Sequence, residues 1–101
     1  MSNLKRILFE NLKNFSSLIN ENEGFKTMHF NLDENKTILK HSNNAHATIQ
    51  VFSGHIEMNF DNRESIELVS GNFLPFNANI KHEVIVKEKS VVIVTSSKIN
   101  L

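Results

Sequence analysis

The chemistry available to this chain is carried mainly by its five histidines, because it has no cysteine. Disulfides, thiolate metal sites and a cysteine nucleophile are thereby excluded. Neutral imidazole is the commonest protein metal ligand. A histidine pair supplemented by oxygen donors and water suits iron, manganese, nickel, copper or zinc without selecting one. Which histidines could converge is read from strand parity, since side chains alternate faces with a period of two. His82 shares its parity with Ile80, Val84 and Val86, while Lys81 and Glu83 take the other face. It is expected to look into a core. Stepping back by twos from Val51 through Ile49, Ala47 and Ala45 reaches Asn43 and His41, which then share the inward face. His29, His46 and His55 fall among polar neighbours and are expected to point outward. A lone inward histidine is more often a hydrogen-bonded core residue than a ligand. Two on strands that one barrel could bring together favour a site.

Other catalytic signatures are missing. There is no G-x-S-x-G elbow, and three glycines cannot supply a phosphate loop or dinucleotide fingerprint. Asp33-Glu34 sits in a turn and reads as solvated surface. His82 and Glu83 are adjacent on one strand and therefore point apart. The eight phenylalanines are spread over apolar faces and read as core, with no tyrosine or tryptophan beside them.

The elements that must position the histidines follow from the periodicity. Leu4, Leu8, Leu12, Phe15 and Ile19 recur at three- and four-residue steps, widened by Ile7 and Leu18, which predicts an amphipathic N-terminal helix with its connection over residues 1–24. Beyond Gly24 the period becomes two. Met28-Phe30-Leu32, Ala47-Ile49-Val51, Ile56-Met58-Phe60 and Ile80-His82-Val84-Val86 each alternate with polar residues and end in turn-forming clusters. About seven or eight short strands at this spacing predict an all-β antiparallel barrel or two-sheet sandwich over residues 25–101. Val91–Val94 is apolar on both faces and needs a cover, either from the helix or from a second subunit. A homodimer is the expectation.

Length and charge bound the partners. A chain of 101 residues is one domain. Eleven basic and eleven acidic residues cancel, so there is no electrostatic case for nucleic acid or an anionic membrane. No apolar run approaches a membrane span, and Glu10, Asn11 and Lys13 interrupt any signal-peptide core, so a cytoplasmic protein with a small-molecule ligand is expected.

Two stretches resemble the cupins. The segment Gln50–Glu57 is similar to the strand–turn–strand of that family, with Gly54 at the last glycine of its first motif and His41 at the first histidine. Gly71 and His82 have the separation of the glycine and histidine in its second motif. Departures are explicit: Asn43 stands at the second histidine, Ala47 at the glutamate, and Asn35 at the first glycine. Asn77, Asn79 and Val86 stand at the second motif's proline, glycine and asparagine. The resemblance covers about residues 25–96 and is closest to the short single-domain bacterial cupins. It implies a small double-stranded β-helix, usually dimeric, with His41 and His82 as ligands of a divalent transition metal. Asn43 would be an oxygen donor to metal or ligand. Cupin activities range from dioxygenases and isomerases to binders without catalysis, so the resemblance does not name a reaction. A binding or sensor module with a vestigial metal site is the alternative.

Overall fold

The computed structural model describes residues 3–41 and 45–98, with residues 39–41 described by their backbone alone. The described residues hold seven antiparallel strands: β1 (Ser16–Glu21), β2 (Phe25–Leu32), β3 (Thr37–His41), β4 (His46–Phe60), β5 (Ser65–Val69), β6 (Phe73–Asn77) and β7 (His82–Ser97); the clusters at Ser53-Gly54 and Lys87–Lys89, expected to end strands, lie inside β4 and β7 instead. Two of them, β4 and β7, are long enough to serve two layers. The first half of β4 pairs with β6 and its second half with β5. The first half of β7 pairs with β3 and its second half with β2, which carries β1 on its outer edge. One layer is therefore β1-β2-β7-β4-β6 and the other β3-β7-β4-β5.

What lets these strands change layer is a run of register shifts between Val51 and Ile56 of β4, opposite Val86–Val91 of β7. Gly54 lies there with φ of 103°, a left-handed conformation that side chains rarely adopt. A Cβ at this position would run into the Ser90 hydroxyl and the Lys89 carbonyl. Ser90 is itself buried; its hydroxyl accepts from the His55 amide at 2.9 Å and donates to the Glu88 carbonyl at 2.7 Å. The bulge thus has its backbone groups satisfied within the protein.

The inward residues of both layers form one core. Leu32, Ile49, Val51 and Val92 come from the first layer; Ile56, Met58, Leu68, Val84 and Val86 come from the second. This is the interior the alternation predicts, and it shows that the two layers enclose a common space.

The N-terminal α-helix does not form. In its place the described residues hold an extended segment with one 3-10 turn at Phe9–Asn11, followed by β1. The helical spacing of Leu8, Leu12, Phe15 and Ile19 was outweighed by two effects. Asn11, Asn14, Ser16, Ser17 and Asn20 are all poor helix interiors, each unfavourable by a few tenths of a kcal/mol relative to alanine (about 0.5). The open edge of β2 also offers a full ladder of backbone partners to residues 16–21. Asn31 reinforces the extended form by donating from Nδ2 to the carbonyls of Leu12 and Asn14, both at 2.8 Å. No helix of the described chain is long and apolar enough to cross a membrane.

Candidate functional site

His82 opens β7 at one end of the core and is 4% exposed. Two features fix its ring. First, Nδ1 lies 2.8 Å from the Ile80 carbonyl. A carbonyl can only accept, so Nδ1 carries the hydrogen, and in the neutral ring this leaves the lone pair on Nε2. Backbone orientation of one imidazole nitrogen is the arrangement that presents the other to a ligand or metal. Second, the ring packs against Phe60 and Phe76, with centroids at 5.7 and 5.2 Å, and these two phenyl rings meet each other at 5.9 Å. Phe60 is the ladder neighbour of His82 on β4, whereas Phe76 reaches across from β6 in the other layer.

The Ile80 carbonyl is held by the turn that precedes β7. The Asn77 side chain accepts from the Asn79 amide at 2.9 Å, and the Ile80 amide donates to the Asn77 carbonyl at 3.2 Å. Asparagine does this readily because its side chain closes short local turns. Asn77 and Asn79, the two asparagines that depart from the second cupin motif, therefore take part in the turn that orients His82. Beside the turn, Ala78 and Ala45 are both buried, and the Ala78 amide donates to the Ala45 carbonyl at 3.0 Å. A cavity of about 240 Å³ adjoins the phenyl rings, with Phe60, Leu74 and Phe76 among its apolar lining and Asn62, Glu64, Ser65 and Asn77 as polar contributors.

The sequence-derived site residues are placed as follows. His41 is the ladder partner of His82, so the backbone of β3 brings the two histidines side by side. The His41 side chain lies outside what the structure describes, and Asn43 lies outside the described residues. Ala47, where the cupin pattern has a glutamate, is buried opposite Phe76 and offers no carboxylate. Among the described residues no three His, Cys, Asp or Glu side chains gather as a metal-binding group. Among the described side chains, the His82 imidazole stands beside the Phe60 and Phe76 rings.

Parity missed two things. Phe60 and Phe76 read as ordinary core, although the inward alternation of Ile56-Met58-Phe60 already pointed Phe60 toward His82. His29 read as solvent-facing and is instead fully buried, at 0% exposure. Its parity is as expected, opposite to Phe30 and Leu32, but Phe9 of the N-terminal segment covers it at 5.1 Å. His46 is exposed, and His55 is partly exposed with Nε2 3.1 Å from Glu67.

No family model matches the chain, and no curated protein matches it. Solved structures do. An RmlC-like cupin from Desulfovibrio desulfuricans superposes with a TM-score of 0.81 at 24% identity, over 93% of this chain and 96% of that one. A conserved protein of unknown function from Streptococcus pyogenes gives 0.77 at 19% identity, over 100% and 98%. KdgF from a Halomonas species gives 0.73 at 18% identity, over 84% and 80%. With superposition at this level over most of the chain, the protein has the fold of the RmlC-like cupins.

Proposed function

We propose that this protein binds a small polar ligand or a divalent transition metal at the His82 end of the barrel. The observation that carries the reading is the pre-oriented His82 ring, buried between two phenyl groups, with the His41 backbone in register beside it. His82 would contribute Nε2, and His41 and Asn43 would complete the polar contacts. Water would fill the remaining metal positions. A donor set this sparse supports binding rather than a defined reaction, and no catalytic step is assigned to it.

Calorimetric titration with nickel, copper, zinc and manganese tests the reading. Binding in the micromolar range or weaker is expected, lost in His82→Ala and in His41→Ala, with circular dichroism confirming that each variant is folded. Undiminished binding in the double variant would refute it.

We also infer that two copies pair through the N-terminal side of the β1-β2-β7-β4-β6 layer. Leu4 is 91% exposed and Phe52 57% exposed, and Ile7, Leu8, Phe15 and Leu18 are exposed with them. So much apolar surface on one chain marks an association face. Light scattering after size exclusion should give twice the 11.6 kDa of one chain. A mass equal to one chain at low micromolar concentration would refute pairing.

A further inference from the structure

The most unusual group in the molecule is His29. It is fully buried, and neither ring nitrogen has a hydrogen-bond partner. Buried polar groups are nearly always satisfied, because leaving one unpaired forfeits its hydration without return. The cover is thin. Phe9 lies over the ring at 5.1 Å and is itself steadied edge-on by Phe52 at 5.4 Å. Phe9 belongs to residues 3–15, a strap without ladder pairing of its own. Asn31 holds the end of this strap through Leu12, Asn14 and the Phe15 carbonyl.

We propose that residues 3–15 form an acid-released strap, in which protonation of His29 displaces Phe9 and frees the segment from the sheet. A charged imidazole is disfavoured beneath a phenyl ring where neither nitrogen has a hydrogen-bond partner, whereas hydration after the strap lifts satisfies both N–H groups. Among the described residues no compensating charge faces the ring. Its ladder partners are Ser17 on β1 and Ile93 on β7, and its cover is Phe9. Of the charged residues on the surrounding elements, Lys5, Arg6, Glu10 and Lys13 on the strap, Glu21 on β1, Lys26 on β2, and Lys87, Glu88 and Lys89 on β7 are exposed, while the half-buried Glu83 lies in the other half of β7, in register with Asn59. Glu21 is already paired with Lys98 at 2.8 Å. Phe52 is the β4 residue in the stack, and it carries no charge.

The direction of the pH response follows. Burial holds His29 below the ordinary imidazole range. Once the strap has lifted, the hydrated His29 ring returns to the ordinary imidazole range, about 6.5 for a free side chain. Docking is therefore at full strength above that value and weakens as pH falls below it, by up to about tenfold per pH unit, until the docked ring itself takes a proton. Release has a structural consequence beyond the histidine. A groove of about 860 Å³ lies between the strap and the sheet, walled by Leu8, Phe9 and Leu12 on one side and by Ile38, Phe52 and Val91 on the other. Lifting the strap dismantles this groove and uncovers the outer sheet face.

Hydrogen exchange at pH 7.5 and pH 5.5, corrected for intrinsic exchange and run at one protein concentration, tests the proposal. The Asn11 and Leu12 amides, which donate to Leu8 and Phe9 carbonyls, should lose protection by about tenfold at the lower pH, while β4 and β7 stay protected. In His29→Leu the strap should be equally protected at both values. A Phe9→Trp variant gives an independent readout: its emission should shift to the red with a midpoint below the ordinary imidazole value. Protection that does not change with pH, an equal loss in His29→Leu, a loss shared with β4 and β7, or a tryptophan signal indifferent to pH would each overturn the proposal.

Discussion

Among the described residues two histidines are buried, one on each side of the barrel wall, and they are held in opposite ways. His82 faces the interior, where a backbone carbonyl takes its Nδ1 hydrogen and two aromatic rings fix its plane. His29 faces outward and is buried only because a chain segment passes over it, with neither nitrogen satisfied. The same side chain at nearly the same exposure is therefore a seated and oriented ring in one place and a source of tension in the other. Burial by itself does not distinguish them; the partners do.

Substitution should separate the two by sign. The largest effect is expected at His82. Replacing it with alanine removes a ring from the Phe60–Phe76 stack and leaves the Ile80 carbonyl without its side-chain donor, which should destabilise the fold by about 2–4 kcal/mol. Urea unfolding measures this, and a loss below about 1 kcal/mol would show that the aromatic stack is not cohesive. At His29 the sign reverses. Leucine there keeps the contact with Phe9 and removes the unpaired nitrogens, so a gain of about 1 kcal/mol is expected at neutral pH. That gain should widen as pH drops below about 6.5, because only the wild-type ring then has a proton to accommodate. A destabilised His29→Leu protein would mean that the ring has a partner after all. The smallest effect is expected for Asn31→Ala, which cuts the two side-chain bonds holding the strap's end. About 1 kcal/mol should be lost, and the loss should fall on the strap rather than on global unfolding. Equal loosening of β4 and β7 would show that strap and barrel are one cooperative unit.

Much of this arrangement was legible in the residues. The alternation from Met28 onward marked the strands, and the parity of Ile80, His82, Val84 and Val86 placed His82 among buried positions. Gly54 marked a place that needs backbone freedom, but as a bulge inside the long strand β4 rather than as the expected turn between two strands. The N-terminal segment was misread because a periodicity of apolar residues records which faces are greasy, not which backbone conformation presents them. Leu8, Leu12 and Phe15 suit a helix in isolation, but a vacant sheet edge at β2 competes for the same backbone. Nothing local in the sequence announces that edge. The same non-local origin hid the burial of His29, whose cover comes from a residue twenty positions earlier in the chain.

Pro75 gives the barrel a direction in which it cannot grow. It lies in β6, the last strand of its layer, opposite Thr48 of β4. Proline has no amide hydrogen to offer, and within a paired strand its nitrogen must face away from the partner. The outer rim of β6 is therefore one donor short at the middle of a five-residue strand, too few to template another chain. The opposite rim carries no such block. Its outermost strand, β1, is interrupted only by a register shift between Leu18 and Asn20. Any strand recruited by this molecule, whether from a sister copy or during aberrant polymerisation, would thus be admitted on the β1 side and refused on the β6 side.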